Sequence, residues 1–263
     1  MIATLAMLAA VPCGSTVSLE RGSYPLVQIS NRDCAANPIT ITASGSRIER
    51  LRLTNVRGMV WRSGAFAGAM GSGAAGYAIA ITNSDGVKLD RLYVRTSQRG
   101  VVISGSQNVE VTRSVFTRLV IDGVNIALSH KVRVAGNSFT AFNSGEAHPD
   151  AVQGWSRPTG QPTSDIVVED NFIEGRMQGI SFFNHVRDGV DDGGFDRVTV
   201  RRNRVTVTFN QGIALYSCRD CVLEGNTVAS LPPSTNWTII NVRGGSVRQS
   251  GNVVAPRPAG AGK

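Results

Sequence analysis

Apolar and polar residues alternate in short runs along this chain, and the runs return at a fixed step. One run has the form V-x-V-x-x-N, two apolar residues around a polar one, a gap, then asparagine or a substitute. It reads VKLDRL from Val87, VEVTRS from Val109, VRVAGN from Val132 and IVVEDN from Ile166. It continues as VTVRRN from Val198, CVLEGN from Cys221 and VRQSGN from Val247. The starts are 22, 23, 34, 32, 23 and 26 residues apart. A second short run precedes each: IAI at Ile79, VVI at Val101, VNI at Val124 and VQGW at Val152, then ISF at Ile180, IAL at Ile213 and IIN at Ile239. Period-two alternation predicts strands whose first and third residues point inward and whose second points outward.

Each strand is too short to bury a face alone. Strands repeating every 22 to 23 residues therefore predict a parallel β-solenoid, in which each coil covers the next. Asparagine at one coil position suits an internal ladder of stacked amides. The 34- and 32-residue steps are coils carrying insertions. The Leu-rich consensus of leucine-rich repeats is absent, and a jelly roll would not hold so regular a period.

The chain resembles a right-handed parallel β-helix of the pectate-lyase-like superfamily. The coil pattern carries the resemblance, together with GSTVSLERGSY at residues 14 to 24, which is similar to the segment following the N-terminal cap helix in such proteins. The resemblance implies the hand of the coil and an all-β, single-stranded solenoid. It leaves the chemistry open, since the architecture hosts lyases, hydrolases, epimerases and viral spikes. Residues 1–254 are expected to form one β-helix domain. Ile2, Leu5, Leu8 and Ala9 sit at helical spacing and predict a short amphipathic cap helix over residues 1–12, without the basic flank of a secretion signal. Residues 255–263 read as a loose tail, and 63–77 as a Gly/Ala-rich loop between early coils.

Composition narrows the partner. The 263 residues hold 27 Lys and Arg against 19 Asp and Glu, a net charge of +8, which points to a polyanion. There is no dense basic run and no RNA-binding aromatic signature, so an acidic polysaccharide is favoured over nucleic acid. No stretch is long and apolar enough to span a membrane. Of the four cysteines, Cys218 and Cys221 have CxxC spacing but no second pair and no nearby histidine, which argues against zinc. Cys221 falls on an inward position, as core. Cys13 and Cys34 fit a disulfide if the protein is exported.

Stacking the strands lines up side chains about 4.8 Å apart, one per coil. Two residues before the first inward position stand Arg99, Asp122, Asp150, Gln178 and Gln211. The outward position presents Val102, Asn125, Gln153, Ser181 and Ala214, and two residues further come Ser104, Ala127, Trp155, Phe183 and Tyr216. Such a face offers hydrogen bonds for hydroxyls and flat rings for pyranose faces. The insertions at 156–165 and 184–196 follow this strand in successive coils and predict a wall beside it, with 143–150 lengthening the opposite approach.

Asp122 and Asp150 share a column on adjacent coils. At that separation they bind a cation such as calcium, share a proton, or point apart into water. Glu146, Asp191 and Asp192 are further oxygen ligands if calcium is bound. His148 is the candidate general base beside them, stiffened by Pro149. His185 stands on the facing wall as a substrate contact, and His130 lies away from this face. Arg99, Arg176, Arg187 and Arg219 are candidates to meet a uronate carboxylate.

The function expected from this face is an enzyme, a lyase cleaving an acidic polysaccharide by β-elimination. Asp122 and Asp150 with Asn125 and Gln153 would neutralise the uronate, His148 would act as base, and Tyr216 or an arginine as acid. Glycoside hydrolysis by Asp122 and Asp150 is the alternative. A phage-type virion spike that binds or depolymerises host surface glycan is a third; the oligomeric state is left open, with a trimer the form such a spike would allow. The expected location is extracellular or periplasmic, or a virion.

Overall fold

The structure is a computed structural model that describes residues 2–143, 145, 147–155, 162–183, 186–187, 190–191 and 193–257. Its strands pair in parallel from coil to coil and build a three-faced solenoid. The first face stacks Tyr77–Thr82, Arg99–Ser104, Val124–Ala127, Asp150–Trp155 and Gln178–Phe183, then the opening half of Gln211–Glu224. The second stacks Asp85–Asp90, Gln107–Thr112, His130–Ala135 and Thr163–Glu169. The third stacks Ala65–Ala67, Tyr93–Arg95, Val115–Thr117, Ser138–Thr140, Phe172–Gly175 and Arg204–Val207.

The expected inward column is observed. Ile79, Val101, Val124, Val152, Ile180 and Ile213 are each fully buried and paired in register. On the second face Val109, Val132 and Ile166 do the same. The third face escapes the sequence pattern, because its three-residue strands Tyr93–Arg95, Val115–Thr117 and Ser138–Thr140 turn only one side chain inward. Val94, Phe116, Phe139, Ile173 and Val205 nevertheless form a continuous column, with Phe116 and Phe139 stacked at 4.8 Å. Residues 65–67, expected in a loop, belong to this face.

The asparagine ladder is present. Asn137 and Asn171 each accept the backbone N–H of the preceding coil, and Asn137 Nδ2 donates to Asn171 Oδ1 at 3.1 Å. Asn203, Asn226 and Asn252 extend it. These amides satisfy backbone donors exposed where the chain turns between the second and third faces, and each would be costly to leave unpaired in the interior.

The N-terminal cap is smaller than the expected amphipathic helix. It is a 3-10 turn over Leu5–Ala10, preceded by a strand, Ile2–Ala3, that pairs with Ser18–Leu19. Leu8 and Val11 are buried, and the Cys13–Cys34 disulfide ties the segment to the first coils. Cys218 and Cys221 form a second disulfide, both cysteines fully buried, so the inward placement of Cys221 holds and its bonding partner is its near neighbour. Among the described residues no helix is long and apolar enough to cross a membrane.

Candidate functional site

The polar residues of the first face converge because a small residue follows each of them. Gly100, Gly123, Ala151, Gly179 and Gly212 stand between the polar edge and the inward column. A Cβ on Gly123 would lie 2.5 Å from the Ala151 carbonyl oxygen and 2.6 Å from the Phe139 ring. The repeated R/D/Q-G-V/I signature is therefore a packing requirement, and it holds the neighbouring edge residue in place. Gly154 leaves room for Phe182, whose ring would be 2.2 Å from a Cβ there.

Asp122 is at the centre. Its Oδ2 accepts from Arg99 Nε at 3.2 Å and Asn125 Nδ2 at 2.9 Å, and its Oδ1 accepts the Asp150 backbone N–H at 3.0 Å. Asp150 Oδ2 accepts from Gln153 Nε2 at 2.9 Å. Gln153 Oε1 in turn accepts from Asn125 Nδ2 at 3.1 Å and from Trp155 Nε1. The Trp155 ring lies 5.6 Å from the Arg99 guanidinium, which also packs 5.9 Å from Tyr77. Six residues expected at the site, Arg99, Asp122, Asn125, Asp150, Gln153 and Trp155, thus form one network.

Asp122 is 2 % exposed and Asp150 1 %. Burial, and then the charge of Asp122, push the Asp150 pKa well above the usual carboxylate range, with the Ser181 hydroxyl acting the other way. Of the three outcomes for the pair, pointing apart into water is not what the structure shows. Two buried oxygens of this network, Asp150 Oδ1 and Asn125 Oδ1, have no hydrogen-bond partner among the described residues.

Calcium fits this donor set poorly. Both oxygens of Asp122 are already filled by N–H donors, one of them from a guanidinium, and these would face the cation. Among the described residues no three His, Cys, Asp or Glu side chains cluster as a metal site. Glu146, Asp192 and the side chain of Asp191 lie outside the described residues.

A second cluster sits further along the face. The Phe183 and Tyr216 rings meet at 4.8 Å. The Tyr216 hydroxyl accepts from Asn241 Nδ2 at 2.9 Å and Gln211 Nε2 at 3.4 Å, and the Arg243 guanidinium lies 4.8 Å from the ring. Gln178 accepts from Ser181 Oγ at 3.4 Å between the clusters.

Asn241 and Arg243 were missed through a one-residue slip. Reading IIN at Ile239 with Ile239 and Asn241 inward is corrected by the pairing, which sets Ile240 beside Ile213, Asn241 beside Ala214 and Arg243 beside Tyr216. The core takes Ile240 and Val242, and the amide turns out. The apolar pair at i and i+2 was the signal.

His148 is exposed, and its ring packs 5.1 Å from Phe209. Among the described residues no hydrogen bond joins it to Asp150. Its placement beside a shared cleft as a base is therefore not supported by contact. His185, residues 156–161 and most of the expected wall at 184–192 lie outside the described residues, apart from a hairpin pairing Val186–Arg187 with Val190–Asp191. Arg219 lies off this site: on the second face it pairs with Asp196 and donates to the Gly193 carbonyl. His130 bonds Ser164 at 2.8 Å, away from the site.

Residues 39–228 match the family described as the right handed beta helix region. The chain belongs to that family. No curated protein sequence matches it. Among solved structures, this β-helix is similar to the Dettilon tailspike protein, with a TM-score of 0.57 and 15 % identity over 99 % of the chain. It spans only 56 % of that tailspike's length. It is also similar to the endo-xylogalacturonan hydrolase of Aspergillus tubingensis, with a TM-score of 0.59 and 12 % identity over 94 % of this chain and 84 % of that one. PfbA, a surface adhesin of Streptococcus pneumoniae, follows at 0.51 and 11 %, covering 97 % and 90 %. At these identities the likeness is one of fold.

Proposed function

We propose that this β-helix binds and cleaves a glycan, by hydrolysis, with Asp150 as general acid and Asp122 as its charged partner. The observation that carries the reading is the asymmetry of the pair. The two carboxyls come from adjacent coils, burial and the Asp122 charge favour a proton on Asp150, and Asp122 is gripped by three N–H donors. A carboxyl that burial keeps protonated beside a second one held by N–H donors is placed to act as the acid of the pair. A coil rise of about 4.8 Å is closer to the carboxyl separation of about 5 to 5.5 Å used for retention than to the wider spacing for inversion.

The chemistry follows from the contacts. A sugar reaches the pair by displacing the Arg99 guanidinium from its place between Asp122 and Trp155. Trp155, Phe183 and Tyr216 then carry pyranose faces along the axis. Asp150 Oδ1 gives its proton to the glycosidic oxygen as the bond breaks, Asp122 stabilises or attacks the sugar cation, and a water that hands a proton back to Asp150 then adds at the anomeric carbon and frees the sugar. β-Elimination is less well served, because His148, its candidate base, packs on Phe209 away from hydrogen-bond contact with the acid pair.

The fold neighbours include a tailspike, a pectin-type hydrolase and a surface adhesin, which supports a glycan partner and a location outside the cell or on a virion. Two disulfides fit the same oxidising setting. A second reading, glycan binding without cleavage, is favoured by one observation: both carboxyls are almost fully covered. A panel of acidic and neutral polysaccharides decides. New reducing ends without ultraviolet absorbance support hydrolysis. Absorbance from new double bonds means elimination, binding with neither means an adhesin, and no interaction removes the reading.

A further inference from the structure

Several arginines of the second face are paired with acids: Arg113 with Asp90, Arg133 and Arg201 with Glu169, Arg202 with Asp170, Arg197 with Asp165. Arg99, on the first face, is paired with Asp122. Arg243 differs. It is exposed, and among the described residues it meets no carboxylate; its contact is the Tyr216 ring.

Its position is built. Arg243 continues the column of Trp155, Phe183 and Tyr216, one coil on. Tyr216 is fixed by two amide donors on its hydroxyl, from Asn241 and Gln211, and by Phe183 at its edge. A guanidinium laid on a fixed ring keeps its N–H edges free for a planar acceptor and loses little freedom on binding one. Carboxylates suit that edge bidentately.

We infer that Arg243, held on Tyr216, reads a carboxylate on the glycan, and so makes this an acidic-glycan site with its charge selectivity at the end of the aromatic strip. This rests on the glycan reading above. Arg243 lies three coils from Asp150, about 14 Å along the axis. It therefore meets a distal uronate-type sugar and not the one beside the broken bond. The net charge of +8 supplies the attraction at long range, and Arg243 the local readout. Short oligosaccharides that cannot span this distance gain nothing from it.

The test is affinity electrophoresis of the whole protein through galacturonan, alginate and hyaluronan, each beside its carboxyl-reduced neutral counterpart. The wild type is expected to bind at least one acidic chain about tenfold or more tightly than its neutral partner at low salt, the preference shrinking as salt rises. Arg243→Gln removes the preference, Arg243→Lys keeps part of it, and thermal melting confirms that both fold. Equal retention of acidic and neutral chains, or a preference that survives Arg243→Gln, overturns the inference and leaves the glycan reading standing. No retention of any chain, charged or neutral, contradicts both.

Discussion

The backbone N–H of Asp150 donates to the carboxylate of Asp122, one coil earlier, at 3.0 Å. The side chain of one acid is thereby anchored on the main chain of the other. Two carboxyl groups that repel are held side by side by the regular rise of the solenoid, and the proton that relieves the repulsion goes to Asp150.

That proton makes stability depend on pH. Unfolded Asp150 titrates near about 3.9, and the folded residue well above that. Between the two values the folded state binds more protons, so stability falls as pH rises. The Asp150 contribution is complete below the unfolded value and lost as pH passes through the folded one. Asp165 runs the other way. Its pKa falls to about 2, chiefly through the Arg197 hydrogen bond, so its contribution is present above the ordinary value and fades as pH falls towards 2. Urea midpoints across pH are expected to fall on both sides. Asp150→Asn should flatten the high-pH side alone; an unchanged high-pH limb would mean that the Asp150 pKa is not raised.

Trp155 does more than offer a flat surface. Its indole N–H fixes the Gln153 amide so that Nε2 faces Asp150. Trp155→Phe keeps a ring and removes the N–H. On a verified substrate it is expected to lower kcat by about tenfold, one hydrogen bond's worth, with KM less affected. A change in KM alone would reduce Trp155 to a platform.

His148→Ala is expected to leave turnover within about tenfold of wild type, short of the hundred- to ten-thousand-fold loss typical for a general base. Its ring rests on Phe209, and among the described residues no hydrogen bond or ion pair joins it to an acid. Steady-state kinetics showing the larger loss would restore His148 as base and favour elimination.

The asparagine ladder supports the scaffold under the site. Asn203 Oδ1 accepts both the backbone N–H and the Nδ2 of Asn171, and its own Nδ2 donates to the Val168 carbonyl and to Asn226. Asn203→Ala leaves buried partners unmet and is expected to cost about 2 to 4 kcal/mol, read from urea unfolding. A loss under 1 kcal/mol, on the order of a single exposed bond, would mean that water replaces the amide.

The coil was legible because burial on a solenoid repeats. Val101, Val124 and Val152 have the same job, so the same residue type recurs one coil apart. The third face was not, since Phe116 and Phe139 stand alone in three-residue strands and show no alternation. The columns of Asp122, Asn125 and Trp155 followed from counting along the strand. What counting could not supply was the solvent cover. Asn125 points away from the core and is yet fully buried, because Asp122 and Gln153 close over it. The slip at Ile239 shows the opposite weakness: one residue of register moved Arg243 out of view.

The most direct measurement is turnover by Asp150→Asn on whichever polysaccharide the wild type cleaves, with binding measured alongside. Asparagine keeps the shape and the acceptor for Gln153 and replaces the acidic O–H with an amide NH2 that cannot give up a proton. The account predicts reducing-end release lowered by about a hundredfold or more, with wild-type binding and an unfolding midpoint at least as high at neutral pH. Turnover near wild type would contradict it, since no proton from Asp150 would then be needed to break the bond.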